Sequence, residues 1–266
     1  MFDHMLKGTR PGKFIMSTTI SARDKSFAVR ANRVVLGVSR HWLLIFAVIF
    51  GLYAGLPWLA PIFMKIGWAD AGRTIYTIYA TQCHQLPERS YFLFGGKSMY
   101  SLAEVQAIWQ NTNDPHILRQ FIGNQQLGWK VAWSDRMVSL YTAIFIGGLL
   151  YRSVRKQLKP LPIWAYALIA MPMFVDVSTH MASDMAGIGS GFRDSNVWLA
   201  VLTGNSFPTW FYAGDGPGSF NSWMRLITGV LFGIGSVWLF YPYVEQTFSK
   251  IIHKIETKFR KAGLAL

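Results

Sequence analysis

Asp176, His180 and Asp184 stand at four-residue steps at the end of an otherwise uncharged run, Leu161 to Val175. Residues four apart share a helix face, so one stripe would carry a carboxylate, an imidazole and a second carboxylate. That is a donor set for a divalent metal such as zinc, iron or manganese, and it also offers His180 as an acid or base. A helix that is apolar over most of its surface and polar along one stripe has to meet hydrocarbon on the first and something polar on the second. The structural alternative is as open: a lone histidine at a membrane boundary is usually hydrogen-bonded, and a membrane carboxylate needs a partner whatever its role.

A second group is Cys83-His84-Gln85-Leu86-Pro87-Glu88-Arg89-Ser90. A thiol beside an imidazole and six residues before a guanidinium is a candidate for a thiolate of lowered pKa, with His84 as a further acid or base. Asp135, Arg136 and Arg225 complete the candidate set. Arg89, Arg136 and Arg225, with Asp135, would hold an anionic ligand group. Asp176 is expected to pair with Arg225 or Arg136, as opposite charges at matched depth in a low dielectric should.

The elements that must position these residues are membrane helices. Of 266 residues 52% are hydrophobic, 15% aromatic and 15% charged, which pulls away from the soluble class. The net charge of +13 follows the apolar spans rather than lining one groove, which argues against nucleic acid as the partner. A single cysteine excludes a disulfide framework within the chain. Uncharged runs predict four transmembrane helices, over about 42–63, 135–152, 161–181 and 224–244. Gly51, Gly55, Pro57 and Pro61 predict a kink or early end in the first. The fold class expected is an all-α integral membrane protein with helical extracytoplasmic loops, 64–134 and 182–223, and basic tails, 1–41 and 246–266.

The short loop with Arg152, Arg155, Lys156 and Lys159 contains no acid and sets the topology. Loops of this kind stay in the cytoplasm, which puts both termini there, in a multi-pass protein of the cell's plasma membrane. The cytoplasmic parts then hold 17 of the 26 basic residues and four of the 13 acids, and the outer parts hold nine of each. Within the outer loops, Asp70 to Thr81 repeats like a half-buried helix. Ser101 to Glu104 forms a capping box, Asp114-Pro115 opens a short helix, and Gly123-Asn124 closes it. A surface helix is expected over 26–38. Gly187 to Asn196 and Gly214 to Gly218 read as a lid or packing loop, with Arg193 and Asp194 paired locally and Trp198, Trp210, Phe211 and Tyr212 at the membrane interface.

Cys83, His84, Gln85, Arg89 and Ser90, followed by Arg136 and Tyr141, Asp176, and Arg225-Leu-Ile-Thr228-Gly229, resemble in order and content a widespread family of prokaryotic membrane proteins. It is catalogued as domain of unknown function 2085, and the resemblance covers roughly residues 70 to 245. Three positions depart from it. Ser134 stands where relatives commonly have a cysteine, Met137 follows the arginine, and Val177 follows the aspartate. The resemblance implies an architecture and no reaction. Two functions fit the residues: an outward-facing site that binds or processes a lipid-phase or anionic ligand with metal assistance, or a non-catalytic accessory or assembly subunit of a larger membrane complex. Neither paired repeats nor a charged pathway to the inner face supports a transporter.

Overall fold

The structure, a computed structural model, describes residues 22–265. Most of the basic N-terminal stretch, 1–21, lies outside the described residues. The chain divides into two compact units. One comprises His41–Lys250, and the other joins 22–40 to 251–265. In the smaller unit Leu36 packs with Ile255 and Phe259, and Arg40 pairs with Glu256 at 2.8 Å.

Helix α1 (Ala22–Lys65) runs for 44 residues. The surface helix expected over 26–38 and the first span are one element, because nothing in Ser39-Arg40-His41 breaks a helix. Pro57 and Pro61 lie inside it, so it does not end early. Helix α2 (Ala69–Ala80) is the half-buried helix expected, with a buried face of Ile75, Tyr76 and Tyr79, while Ile78, which the repeat placed with Ile75 and Tyr79, is exposed. Strand β1 (Ser90–Leu93) follows, then α3 (Leu102–Ile108), which opens on the Ser101/Glu104 capping box. In α4 (Pro115–Leu118) the Asp114 carboxylate accepts from the His116 backbone N–H at 2.8 Å.

The segment 64–134, expected to be a helical loop, is not purely helical. Strands β2 (Gly123–Asn124) and β3 (Gly128–Ser134) join β1 in an antiparallel sheet of order β1-β3-β2. Gly123-Asn124, expected to stop a helix, pairs with Trp129 and Gly128 instead. Gly123 has φ +114° and sits so close to the Gly128 carbonyl that any side chain would collide with it. Strand β3 is buried on both faces, so the alternation that betrays a half-buried strand is missing.

From Ser134 the chain turns into α5 (Asp135–Val154), and α6 (Ile163–Asp184) follows. Three short helices, α7 (Phe192–Ser195), α8 (Val197–Leu202) and α9 (Thr209–Tyr212), lead to α10 (Phe220–Lys261). Among the described residues three helices, α1, α5 and α10, are long and apolar enough to cross a membrane. In α6 the ionisable stripe interrupts the apolar run, although Trp164, Leu168, Met171 and Val175 form an exposed apolar face.

Two aromatic clusters bind the larger unit. Trp133 of β3 lies with its ring 4.9 Å from Tyr53 of α1, 5.0 Å from Tyr79 of α2 and 4.6 Å from Tyr141 of α5. Trp42 of α1 meets Tyr151 of α5 at 6.2 Å and Tyr241 of α10 at 5.4 Å. Helices α5 and α10 touch through Gly229 and Gly233. A Cβ at Gly233 would stand 2.6 Å from the Leu140 carbonyl and 2.8 Å from the Ala143 methyl. That close approach brings Arg225 to the start of α5.

Candidate functional site

Five segments deliver ionisable side chains to one region. The 3-10 turn Pro87–Arg89 presents Arg89. The junction of β3 and α5 presents Asp135 and Arg136, and the last turns of α6 present Asp176, His180 and Asp184. Helix α7 contributes Arg193, and the loop into α10 with that helix's first turns contributes Asp215 and Arg225.

These groups form two chains of ion pairs. In the first, both Arg89 Nη groups donate to the Asp184 carboxylate at 2.7 Å, and Arg89 Nε donates to Asp215 at 3.0 Å. Arg225 Nη1 donates to the other Asp215 oxygen, and Arg225 Nε donates to both oxygens of Asp135 at 2.8 Å. In the second, Asp176 accepts from Arg136 Nη2 and from Arg193 Nη2, each at 2.7 Å. Four arginines thus face four aspartates. The division is unequal: the first chain has three carboxylates for two guanidiniums, the second one carboxylate for two. Arg89 grips Asp184 as a bidentate pair, and Arg225 reaches Asp135 through Nε and Asp215 through both Nη groups. The loop residue Asp215 is kept below the usual carboxylate range by Arg89 and Arg225, which outweigh its burial.

The expected pairing of Asp176 with Arg136 forms, whereas Arg225 binds Asp135 and Asp215. Arg193 does not pair with Asp194, whose carboxylate caps the Gly191 N–H at 2.8 Å. Instead Arg193 Nε donates to Asn221 at 3.1 Å and Nη1 to Thr179 at 3.1 Å. Arg193 and Asp215 were not legible as members of the site. Both stand in glycine-rich loops, and the equal tally of outer acids and bases implies pairing without naming the partners.

The metal set Asp176, His180 and Asp184 is not assembled. Asp176 oxygens face Arg136 and Arg193, Asp184 oxygens face Arg89, and among the described residues no group of three His, Cys, Asp or Glu is placed to hold an ion. His180 Nδ1 lies 2.9 Å from the Asp176 main-chain oxygen and 3.4 Å from Arg136 Nη2. Its buried Nε2, like Arg136 Nε, has no hydrogen-bond partner among the described residues.

The Cys83 thiol is buried, whereas His84, beside Arg89, Arg136 and Arg225, keeps part of its surface open. His84 Nδ1 accepts from the Leu86 N–H at 3.3 Å. The protein packed round the ring, and then the positive Arg89, Arg136 and Arg225, hold its pKa well below the ordinary histidine range. Cys83 Sγ accepts from the Gln85 and Ser134 backbone N–H groups at 3.4 Å each and lies 3.5 Å from Ser134 Oγ. A second sulfur at that position would be within reach of a disulfide. Ser134→Cys is therefore expected to lose both free thiols under oxidising conditions, read by thiol titration and intact mass. Two titratable thiols after oxidation would contradict the contact.

Next to the site, outside the spans, Glu88 and Lys130 are buried. Burial pushes the Glu88 carboxyl up to about 7 from 4.5, with Arg89 opposing and Asp215 adding to the shift. Burial likewise pulls Lys130 down to about 7 from 10.5, while its Nζ donates to the Gln85 and Arg119 carbonyls at 2.6 and 2.8 Å. A raised carboxyl pKa means that Glu88 contributes its full stability below pH 4.5 and loses it as pH rises through about 7. Lys130 has the opposite sign, contributing above 10.5 and losing that contribution as pH falls through about 7. Glu88→Gln removes the first effect, together with the support that the Glu88 carboxylate gives the Lys130 ammonium. It is expected to raise Tm at pH 8, by roughly 1–3 kcal/mol of stability, and to give no gain at pH 4.5. Equal Tm shifts at both pH values would refute the assignment.

The second chain of ion pairs ends at a groove between α6, α10 and the α7–α8 segment, with a volume of about 720 Å³. Leu168, Met171 and Val175 line one side and Phe220 and Met224 the other, with Asp176 and Arg193 at its polar end. Apolar walls with a few convergent polar groups are what ligand sites present.

Residues 121–239 match the family described as a predicted membrane protein, DUF2085. The match begins after Cys83–Ser90, a segment whose Arg89 reaches the ion-pair network by geometry. Among curated proteins, the chain is similar to an uncharacterized protein of Methanocaldococcus jannaschii. The two are 24% identical over 172 residues, covering 62% of this chain and 84% of the relative. No solved structure matches.

Proposed function

With residues 121–239 belonging to the DUF2085 family of predicted membrane proteins, we propose that this is a four-span plasma-membrane protein, both termini cytoplasmic, whose outward end binds a lipid-phase ligand. Helix α6 is the fourth span. Its 22 residues extend about 33 Å, its exposed apolar face suits hydrocarbon, and its ionisable stripe is matched by Arg89, Arg136 and Arg193. The positive-inside bias orients it with Asp184 outward. The observation that carries the ligand reading is the groove, whose walls are apolar and whose end is not. The charged network is its floor. Since each guanidinium is already paired, the groups support holding a ligand better than transforming one.

The test is lipid retention by protein purified in mild detergent. Native mass spectrometry is expected to find lipid bound to the wild type and less than about a tenth of it on Met224→Trp, which fills the groove. Wild-type protein without lipid, or full retention by the variant, would end this reading. The second reading, an accessory subunit that performs no chemistry, draws on the mutual pairing of the four arginines and four aspartates. It predicts a stoichiometric partner on gentle extraction from native membranes.

A further inference from the structure

The two ion-pair chains differ in sign, and the groove lies against the positive one. Asp176 is the one carboxylate shared by Arg136 and Arg193. The three carboxylates of the other chain are held by Arg89 and Arg225. Arg193 lines the groove, fixed by Asn221, Thr179 and Asp176 and by its place 5.4 Å from the Phe220 ring centroid. A guanidinium has five N–H groups. Those three bonds use one on each nitrogen, leaving one on each Nη group. Resting on the lipid-binding reading above, we propose that the ligand is an amphiphile with a singly charged oxyanion head, a lipid phosphate or carboxylate, seated at Arg193 with its chain between α6 and α10.

Arg136 and Arg193 share one carboxylate beside the apolar walls, so an anion seated there gives a guanidinium a direct partner in a low dielectric, where such a contact is strong. The head of such a lipid brings one negative charge, which restores balance to the Arg136–Asp176–Arg193 group, and an oxyanion geometry that the two remaining Nη N–H groups suit. The chain finds its place because the groove walls continue outward as apolar surface. Leu168 and Val175 are exposed on α6, and α8, Val-Trp-Leu-Ala-Val-Leu, buries none of its residues. A water-soluble anion would use the guanidinium and leave those walls uncovered, so the chain is part of the recognition.

The experiment measures binding of phosphatidylglycerol, a fatty acid and diacylglycerol of matched chains to purified protein in neutral detergent, with inorganic phosphate as a soluble competitor. Wild type is expected to bind both oxyanion lipids about tenfold or more tightly than diacylglycerol; the tighter of the two identifies the head. Arg193→Gln should remove the preference without changing diacylglycerol binding, and Arg193→Lys should keep it. Inorganic phosphate should not displace lipid. Equal binding across the three lipids overturns the charge assignment and leaves the groove standing. Displacement by phosphate overturns the amphiphile, and failure of every lipid to bind overturns the groove as well. The wild-type series alone decides the matter if the Arg193 variants do not fold.

Discussion

Replacing Arg225 with leucine is expected to destabilise the protein by about 3–5 kcal/mol. Arg225 is 2% exposed and joins Asp135 to Asp215. Without it, Asp215 keeps Arg89, but Asp135 keeps only the Arg136 backbone N–H and is left as a buried carboxylate with no cation. The damage spreads because Arg225 also ties the start of α10 to the start of α5, where Gly229 and Gly233 let the helices touch. Thermal unfolding in detergent reads the loss. Combining Arg225→Leu with Asp135→Asn should recover part of it, since neutralising both partners removes the stranded charge. An Arg225→Leu protein as stable as the wild type would show that the pair is not buried as described.

The second large effect concerns an asymmetry. Asp176 serves two guanidiniums, whereas each of those has Asp176 as its one ion-pair partner among the described residues. Asp176→Asn leaves two buried cations facing an amide and is expected to cost about 3–5 kcal/mol. Arg136→Gln leaves a balanced pair, Asp176 with Arg193, and should cost less than half as much. Comparing the two by unfolding under the same conditions checks the stoichiometry directly. Equal losses would mean that the carboxylate is not shared, and the excess positive charge at the groove would go with it.

The parts of this fold that were legible in the sequence are those set by local chemistry. Uncharged runs marked α1, α5 and α10, the Ser101/Glu104 capping box marked α3, and Asp114-Pro115 marked α4. What was missed depends on contacts between distant residues. Strand β3 reads as no strand because both faces are covered, and Lys130 within it is fully buried, which no periodicity announces. The network was half visible. Asp135, Arg136, Asp176 and Arg225 stand in or beside the uncharged runs, where a charge demands a partner, but the choice among partners is tertiary. Arg193 bypasses its neighbour Asp194 for Asp176, seventeen residues away, because Asp194 is already capping Gly191. The metal triad failed for a related reason. Residues sharing a helix stripe share a ligand only if nothing else claims them, and guanidiniums from α5, α7 and the turn before β1 claim both carboxylates.

Sidedness is the most direct measurement, because the proposed function requires the groove, the ion pairs and the sheet to lie on the non-cytoplasmic side. Cys83 is too buried to report it. In a Cys83→Ser background, single cysteines at two exposed positions, Ser206→Cys between α8 and α9 and Gln157→Cys between α5 and α6, would be treated with a membrane-impermeant maleimide. Position 206 is expected to label in intact cells, and position 157 only in inverted vesicles. Labelling of 157 from outside intact cells, with 206 protected until the membrane is inverted, would put the ion-pair network at the cytoplasmic face and contradict the placement on which the ligand assignment rests.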